Sequence, residues 1–400
     1  MTNQARPTKS HFRFVELDSV RALAAMWVFA YHVWQFGGSP AFPLSFSGYS
    51  FDLFGPVHHG PAGVDVFMVL SGFCLFWPLT NNPDAFHWRS YAIKRARRIL
   101  PAYYGAIAYT ILAPVVLVFG VRLAGWHANF QPVPSLKQIV SHLLLIHTLF
   151  RDTWNGITGA FWSMGLEAQF YIVFPFLALA WKRLGSRAIA YAALASVAFR
   201  IIVGLFVNAP DSIEAFLLSI TFLGRWMQFA AGMAAALWVR QQIDQPSRAL
   251  STTDWTVLAS TSALLELAGL VAPSMISEGP IPLRDILLAT GSAGLISSLC
   301  TAPLWIKALF RQGPLPYLGR ISYSFFLIHQ PTSWYAMEFC RKKIGLSGER
   351  LVLAGYTGGF IVTTVCASIF YHLLEKPFLS SGKIPEPKMP VNSRQTQSIA

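Results

Sequence analysis

Apolar residues dominate long, uninterrupted stretches of this chain, and short polar segments separate these stretches. Ten of them are about twenty residues long, the length that an α-helix needs to cross a bilayer: 17–36, 61–79, 99–120, 161–181, 187–207, 215–238, 254–273, 284–302, 320–338 and 351–373. A shorter apolar piece, 138–150, predicts a half-helix or an interfacial helix. The continuous runs lack the alternation of an outer-membrane barrel. The pattern therefore predicts an all-α fold, a polytopic transmembrane helical bundle with about 10 spans.

The composition supports the same class of protein. Hydrophobic residues make up 54% of the chain and charged residues only 12%, about half the charged fraction of a soluble domain. Most Lys and Arg behind the net charge of +13 lie in short segments between the apolar runs. Their uneven distribution over the two sides predicts that both termini are cytoplasmic. Because topology accounts for these charges, we expect a lipid bilayer as partner and no nucleic acid.

Three further features bound the domain organisation. The polar ends predict disordered tails over 1–12 and 379–400, which leaves one membrane domain over 13–378. No small-residue cleavage site follows the first apolar run, so we expect that run to remain as a transmembrane helix. The four cysteines, Cys74, Cys300, Cys340 and Cys366, are scattered. They have neither metal-ligand spacing nor a disulfide framework, and we expect no metal site.

The first apolar run carries two ionisable groups, Arg21 and His32. They are eleven residues apart, close to three helical turns, so both side chains lie on one helix face about 16 Å apart along the axis. Ionisable groups at this depth are costly in lipid and usually face the interior of a bundle. Histidine is the side chain best suited to proton transfer near neutral pH. His32 is therefore either a candidate general base or a buried histidine bonded to a neighbouring helix.

Two carboxylates in other spans lie at comparable depth. Asp65 begins the second span and precedes Ser71, and Glu167 follows Trp162 and precedes Tyr171. A His–carboxylate pair in a low-dielectric bundle is a natural general-base arrangement. We expect His32, Glu167 and Asp65 to cluster. Ser71 can equally be explained by small-residue packing between helices. Trp162 can be an aromatic residue at the membrane interface, and Tyr171 a packing residue.

Two further motifs contribute polar groups. Arg95 and Arg98 are three residues apart before the third span, so a helix places both on one face. Two guanidinium groups together can clamp a phosphate or pyrophosphate, although topology alone also explains basic residues there. His329 lies inside a late span and is a candidate for the same polar cavity.

Taken in order, these motifs resemble acyltransferase family 3, the integral membrane acyltransferases. The resemblance covers about residues 14–378 and rests on five segments that hold Asp18, Arg21 and His32; Gly63, Asp65, Ser71 and Gly72; Arg95, Arg98 and Pro101; Trp162, Ser163, Glu167 and Tyr171; and Ser322, Tyr323, His329 and Pro331. Each segment alone is weak, and five in order are specific. The resemblance implies a fold of membrane helices in the bacterial inner (plasma) membrane.

The resemblance also implies an activity. Members of the family move an acyl group, usually acetyl from acetyl-CoA, onto surface polysaccharides, lipopolysaccharide, nodulation factors or macrolides. It implies His32 as catalytic residue and Arg95 and Arg98 as donor-binding residues, with no permanently bound cofactor and acetyl-CoA as donor substrate. We place the thin arm of the acyl-CoA along the Arg21 and Ser71 face, with Asp18, Trp162, Tyr171 and His329 as possible cavity residues. We expect any additional esterase-like domain to be a separate protein.

Other functions remain open. Buried His, Asp, Glu and Arg also build the proton relays of transporters and flippases, which would need no acyl-CoA. An acyltransferase of macrolides or other small metabolites would share the chemistry and differ only in its acceptor. The residues fit direct transfer and an acyl-His intermediate equally, and acetyl is the default acyl group.

Overall fold

The computed structural model describes residues 14–46, 49–82, 84, 86–123, 134–209, 211–245, 250–272 and 282–380. The tail predicted for 1–12 lies outside the described residues, and so does 381–400 of the second predicted tail. The last described helix continues through Ser380.

Helices form nearly all of the regular structure. In chain order they are α1 Val15–Phe36, α2 Gly55–His58, α3 Ala62–Asn81, α4 Trp88–Leu123, α5 Leu136–Leu143, α6 Trp162–Leu184, α7 Ser186–Gly204, α8 Ile213–Ile220, α9 Phe222–Asp244, α10 Thr252–Val271, α11 Leu283–Thr301, α12 Leu304–Arg311, α13 Leu315–Arg320, α14 Ser322–Phe339, α15 Gly348–Ala354, α16 Phe360–Phe370 and α17 Lys376–Ser380. The π-helical turns Gly355–Gly359 and Tyr371–Glu375 join the last three into one rod. The one departure among the described residues is an antiparallel hairpin of β1 Pro43–Phe46 and β2 Tyr49–Asp52.

The predicted class, an all-α membrane protein, is confirmed, but the count of about ten spans is not. Among the described residues, six helices are long and apolar enough to cross a membrane: Ala62–Asn81, Trp88–Val116, Gly159–Leu184, Ser186–Gly204, Leu283–Thr301 and Gly348–Leu379. Helices α1, α9, α10 and α14 follow predicted spans, yet polar and charged residues lower their hydropathy. The piece 138–150 forms the short α5 and a 3-10 turn, His147–Leu149.

The span predicted over 215–238 is wrong in one respect, because the chain breaks at Thr221 between α8 and α9. Thr221 is extended, with φ −101° and ψ 157°. Its neighbouring carbonyls are bonded by arginines: Arg200 donates to the oxygens of Leu218 and Gly224, and Arg225 to that of Ser219. Irregular backbone within a membrane protein requires such partners. Hydropathy alone could not reveal the break because both halves are apolar.

Glycines allow a close helix contact between α3 and α9. A Cβ on Gly72 would lie 2.1 Å from the carbonyl oxygen of Phe229, and one on Gly232 would lie 1.9 Å from that of Val69. No other residue fits at either position without moving a helix. The contact fixes α9 against α3.

Two stacked histidines tie the α5 segment to the start of α6. The rings of His142 and His147 lie 4.0 Å apart and nearly parallel, and both side chains are fully buried. His142 donates from Nδ1 to the Gln138 oxygen, and His147 from Nε2 to the Phe161 oxygen. Burial lowers the pKa of His142, and burial with the neighbouring His142 lowers the pKa of His147 to about 4. Both rings are therefore neutral at pH 7.

The pH dependence of stability follows from this pair. Since the pKa of His147 is about 4 in the folded chain and about 6.5 unfolded, the unfolded chain binds more protons between these values. Stability must fall as the pH drops from about 6.5 to 4, by up to ~3 kcal/mol for the full shift. We expect the thermal midpoint of His147→Gln, which keeps a donor for Phe161, to fall less over this range than that of the wild type. The exposed His87→Gln is the control, and an equal fall in all three proteins would contradict the prediction.

Candidate functional site

A cavity of about 450 Å³, called the large cavity here, runs along α3 between α1, α4, α6 and α14. Its lining extends on α3 from Val64 to Leu75, a rise of about 16 Å. The start of α1 and the C-terminal end of the rod formed by α15–α17 both line this cavity. These two helix ends therefore lie at the same end of the bundle. Its polar and charged lining includes Asp18, Arg21, Ser71, Cys74, Arg95, Arg98, Glu167, Tyr171, Arg320, Tyr323 and Glu375.

Seven of the eleven candidate site residues meet in this cavity: Asp18, Arg21, Ser71, Arg95, Arg98, Glu167 and Tyr171. Arg95 and Arg98 share one face of α4 because this segment is helical from Trp88 onward. Both side chains line the large cavity, as a shared helix face requires. Four others, His32, Asp65, Trp162 and His329, do not line this cavity.

Arg21 is held by two neighbours inside the large cavity. Its guanidinium donates to Asp18 Oδ1 at 2.9 Å and to Cys74 Sγ at 2.9 Å. Asp18 is placed by a close backbone contact, since a Cβ on Gly319 would lie 1.8 Å from the Asp18 carbonyl oxygen. Glycine at 319 therefore lets α13 meet α1, which brings Arg320 to the same opening.

Glu167 projects into the middle of the cavity. It accepts a hydrogen bond from Ser71 Oγ at 2.9 Å and another from the Tyr171 hydroxyl. The guanidinium of Arg95 lies over the Tyr171 ring, 5.8 Å from its centroid. These contacts place the Glu167 carboxylate between two ends of the cavity. One end, called the arginine end here, holds Arg95 and Arg98, and the other lies near Val64 on α3. The hydrogen bonds of Glu167 thus go to Ser71 and Tyr171, whereas its expected partner was His32.

His32 lies beyond the cavity, in a network centred on Gln330. The Gln330 Oε1 atom accepts from the Ala160 N–H at 2.9 Å and from the Thr158 hydroxyl at 2.5 Å. Its Nε2 atom faces the ring of His32, 2.9 Å from Nε2 and 3.0 Å from Nδ1. Nδ1 of His32 also lies 3.1 Å from Gln35 Oε1. Gln330 lies between His329 and Pro331 in the sequence, and it was not predicted as a site residue.

Aromatic rings connect His32 with the large cavity. Phe67 and Phe326 both line the cavity, and their rings touch edge to face with centroids 5.6 Å apart. The ring of Phe326 also lies 5.5 Å from His329, which lies 5.2 Å from His32. The side chain of Phe326 therefore contacts the cavity on one side and the histidine pair on the other.

Asp65 and Trp162 line a different, smaller space of about 170 Å³, called the small cavity here. Asp65 accepts from Arg225 at 3.3 Å and from Gln228 at 2.9 Å. The prediction that His32, Glu167 and Asp65 cluster is therefore wrong. The cause is that Asp65 lies on α3 toward α9 and α11, where arginines meet its charge, while Ser71 faces α6.

Sequence reasoning also missed residues of the large cavity. Glu375 lines it, is buried and accepts from Ser324 Oγ at 2.6 Å. Arg320 and Cys74 line it as well. The positions of these three residues depend on contacts between distant helices, which spacing along the chain does not reveal. Within the described residues, no three His, Cys, Asp or Glu side chains group as metal ligands would.

Sequence comparisons match the chain to several bacterial proteins. The chain is 25% identical over 395 residues to the putative peptidoglycan O-acetyltransferase YrhL of Bacillus subtilis, covering 93% of this chain and 56% of that protein. It is 27% identical to the exopolysaccharide production protein ExoZ of Rhizobium meliloti (82% and 92% covered). It is 25% identical to the peptidoglycan O-acetyltransferase OatA of Listeria monocytogenes (82% and 50% covered).

The chain thus spans about half the length of YrhL and OatA and most of the length of ExoZ. No solved structure matches significantly. The family model described as an acyltransferase domain matches residues 14–372, nearly everything from the first helix to the last. The chain therefore belongs to this family of acyltransferases.

Proposed function

We propose that this protein is an O-acyltransferase of the bacterial inner membrane that moves an acetyl group from acetyl-CoA to a hydroxyl of an envelope glycan or lipid-linked sugar. The observation that carries the proposal is the large cavity, which joins an arginine-lined end to a carboxylate and ends against the aromatic ring beside the His32 network. In this proposal both termini and the arginine end face the cytoplasm, where acetyl-CoA is made.

The donor's charge supports its placement at Arg95, Arg98 and Arg320. Coenzyme A carries a diphosphate and a further phosphate, and planar guanidinium groups bind phosphate oxygens in pairs. The lining of the large cavity carries four arginines, and in this proposal three of them, Arg95, Arg98 and Arg320, bind the phosphates. Its volume of about 450 Å³ lies in the range of small-molecule sites. The phosphates would stay at the opening while the pantetheine arm passes Arg21 toward Glu167.

The hydrogen bonds of Gln330 support His32 as a base. The backbone N–H of Ala160 can only donate, so the atom of Gln330 facing it must be the oxygen. The amide NH₂ must then face His32, which requires a lone pair on the imidazole. Gln35 Oε1 beside Nδ1 favours a proton on Nδ1 and the lone pair on Nε2. A neutral ring with Nε2 free of protons is the state that can take the proton of a hydroxyl or accept an acyl group.

The reaction then has two possible courses, direct attack of the acceptor hydroxyl on the thioester or an acyl group carried on His32. In either course the acyl group would pass beside Phe326, whose ring lines the cavity and contacts His329. Relatives with O-acetyltransferase names support an envelope glycan as acceptor. A small metabolite as acceptor and a proton-coupled transporter are the outcomes to be separated from it by experiment.

Donor binding tests the arginine end. We expect the Arg95→Ala/Arg98→Ala double variant to bind acetyl-CoA at least ~100-fold more weakly in calorimetry, since each charge-assisted hydrogen bond contributes about 1.5–3 kcal/mol. Lys94→Ala, which removes an exposed charge from the same helix, should bind as the wild type does. Equal affinity of all three proteins would sink the proposed donor site, and wild-type protein that binds no acetyl-CoA would favour a transporter.

Removal of the His32 ring tests the base. We expect His32→Ala to lose acetyl transfer to purified envelope glycan entirely while it still binds acetyl-CoA, because the ring lies outside the large cavity. Thermal unfolding in detergent checks that the variant is folded. A folded His32→Ala protein that transfers acetyl groups at the wild-type rate would exclude this role.

Substitution of Gln330 tests the proton arrangement. In Gln330→Glu a carboxylate would face the ring and favour the imidazolium, so the rising part of the pH–rate profile should move to higher pH by about one to two pH units. The uncharged, similarly shaped Gln330→Met should lower the rate without moving the profile. A profile that is the same in wild type and Gln330→Glu would mean that Gln330 does not set the protonation of the catalytic base.

A further inference from the structure

The small cavity holds two buried acid–base pairs at the start of α3, α9 and α11. Arg200 lies 2.9 Å from Asp285, and Arg225 lies 3.0 Å from Asp285 and 3.3 Å from Asp65. The amide of Gln228 donates to Asp65 at 2.9 Å. Two carboxylates therefore meet two guanidinium groups, and the charges of these four residues cancel.

Arg284 adds a third guanidinium to the same cavity. No carboxylate among the described residues lies within 4.0 Å of it, and its Nε atom is buried without a hydrogen-bond partner in that part of the chain. Its charge reaches His59, whose pKa is lowered by burial and by Arg284 and His58. The lining thus carries three arginines against two aspartates, and one positive charge is left over in a partly enclosed polar space.

The size and lining of this space point to the ligand's chemistry. One uncompensated charge in about 170 Å³ balances a monoanion the size of a carboxylate, whereas a diphosphate would bring more charge than the cavity neutralises. Trp162 also lines the cavity, with the Arg225 guanidinium 6.0 Å from its ring centroid. An aromatic ring offers a flat apolar surface to the C–H face of a sugar, so cation and aromatic together suit an acidic sugar.

We propose that the small cavity is a subsite for a carboxylate on the acceptor, with Arg284 as the residue that binds it. This inference rests on the proposed function, because it assigns the subsite to the acceptor of the same transfer. The small cavity opens beside the N-terminal ends of α3, α9 and α11, whereas the arginine end of the large cavity lies at the start of α1. Helices α1 and α3 are antiparallel, because Gly60 meets Tyr31 and Cys74 meets Arg21. The two cavities therefore open at opposite ends of the bundle. In the proposed orientation the carboxylate subsite faces the acceptor's side of the membrane.

The test compares two sugars that differ only in the carboxylate, methyl β-D-glucuronide and methyl β-D-glucoside. We expect the purified wild-type protein to bind the glucuronide at least tenfold more tightly, as measured by titration in detergent. Arg284→Gln should lose this preference, and Arg284→Lys should keep most of it. Arg350→Gln, which removes an exposed arginine charge, should bind as the wild type does. Arg284 acts on Asp65 only from beyond 4.0 Å, and Asp65 keeps Arg225 and Gln228 as bonded partners, so removal of Arg284 breaks no ion pair among the described residues.

Three outcomes would overturn the inference. A wild-type protein without preference for the glucuronide would make the small cavity a purely structural charge network, and this comparison requires no variant to fold. Tighter binding of glucose 6-phosphate than of the glucuronide would replace the carboxylate by a phosphate. A preference that survives in folded Arg284→Gln would place the carboxylate elsewhere. Acetyl-CoA binding measured on the same preparation separates these results from failure of the proposed function, which would abolish donor binding as well.

Discussion

Pairing of buried charge is the constraint on which this bundle depends. A guanidinium or carboxylate among apolar helices is tolerated only when an opposite charge or several hydrogen bonds meet it, so each such group fixes the position of another helix. Arg225 joins α9 to Asp65 on α3 and to Asp285 on α11. Arg200, from α7, bonds both Asp285 and the carbonyls exposed where α8 ends. The broken helix, the charge network and the small cavity are therefore one structure.

The sequence predicted what depends on local periodicity and missed what depends on distant partners. The helical class and the shared face of Arg95 and Arg98 follow from spacing along one helix, and both are confirmed. The partners of Asp65 could not be predicted, because Arg225 and Gln228 reach it from a helix more than 150 residues away along the chain. For the same reason Gln330 was overlooked, since the donor that orients its amide is the backbone of Ala160 on another element.

Local side-chain bonds shape the segment that carries Gln330. Pro331 inside α14 has no N–H, which leaves a carbonyl of the preceding turn without its helical partner. Hydroxyl groups also bond the next two carbonyls: Thr332 donates to the Ile328 oxygen and Ser333 to the His329 oxygen. These local bonds hold the turn in which His329 and Gln330 face His32. The position of the Gln330 amide therefore depends on this proline-containing turn as well as on the hydrogen bonds that the amide itself makes.

The contact between Phe67 and Phe326 has an electrical consequence. In the proposed reaction only the acyl group crosses this aromatic pair outward, and a CoA thiolate is left behind on the cytoplasmic side. The sulfur keeps the electron pair of the broken thioester bond, so outward acyl transfer alone moves one positive charge outward. When the proton that His32 removes from the acceptor follows the reverse path to that thiolate, the two movements cancel and the turnover is electroneutral. A proton released on the outer side instead would leave the transfer working against about 2.3 kcal/mol for each 100 mV of a membrane potential that is negative inside. The path of the proton past the ring of Phe326 therefore decides whether acyl transfer is coupled to the membrane potential.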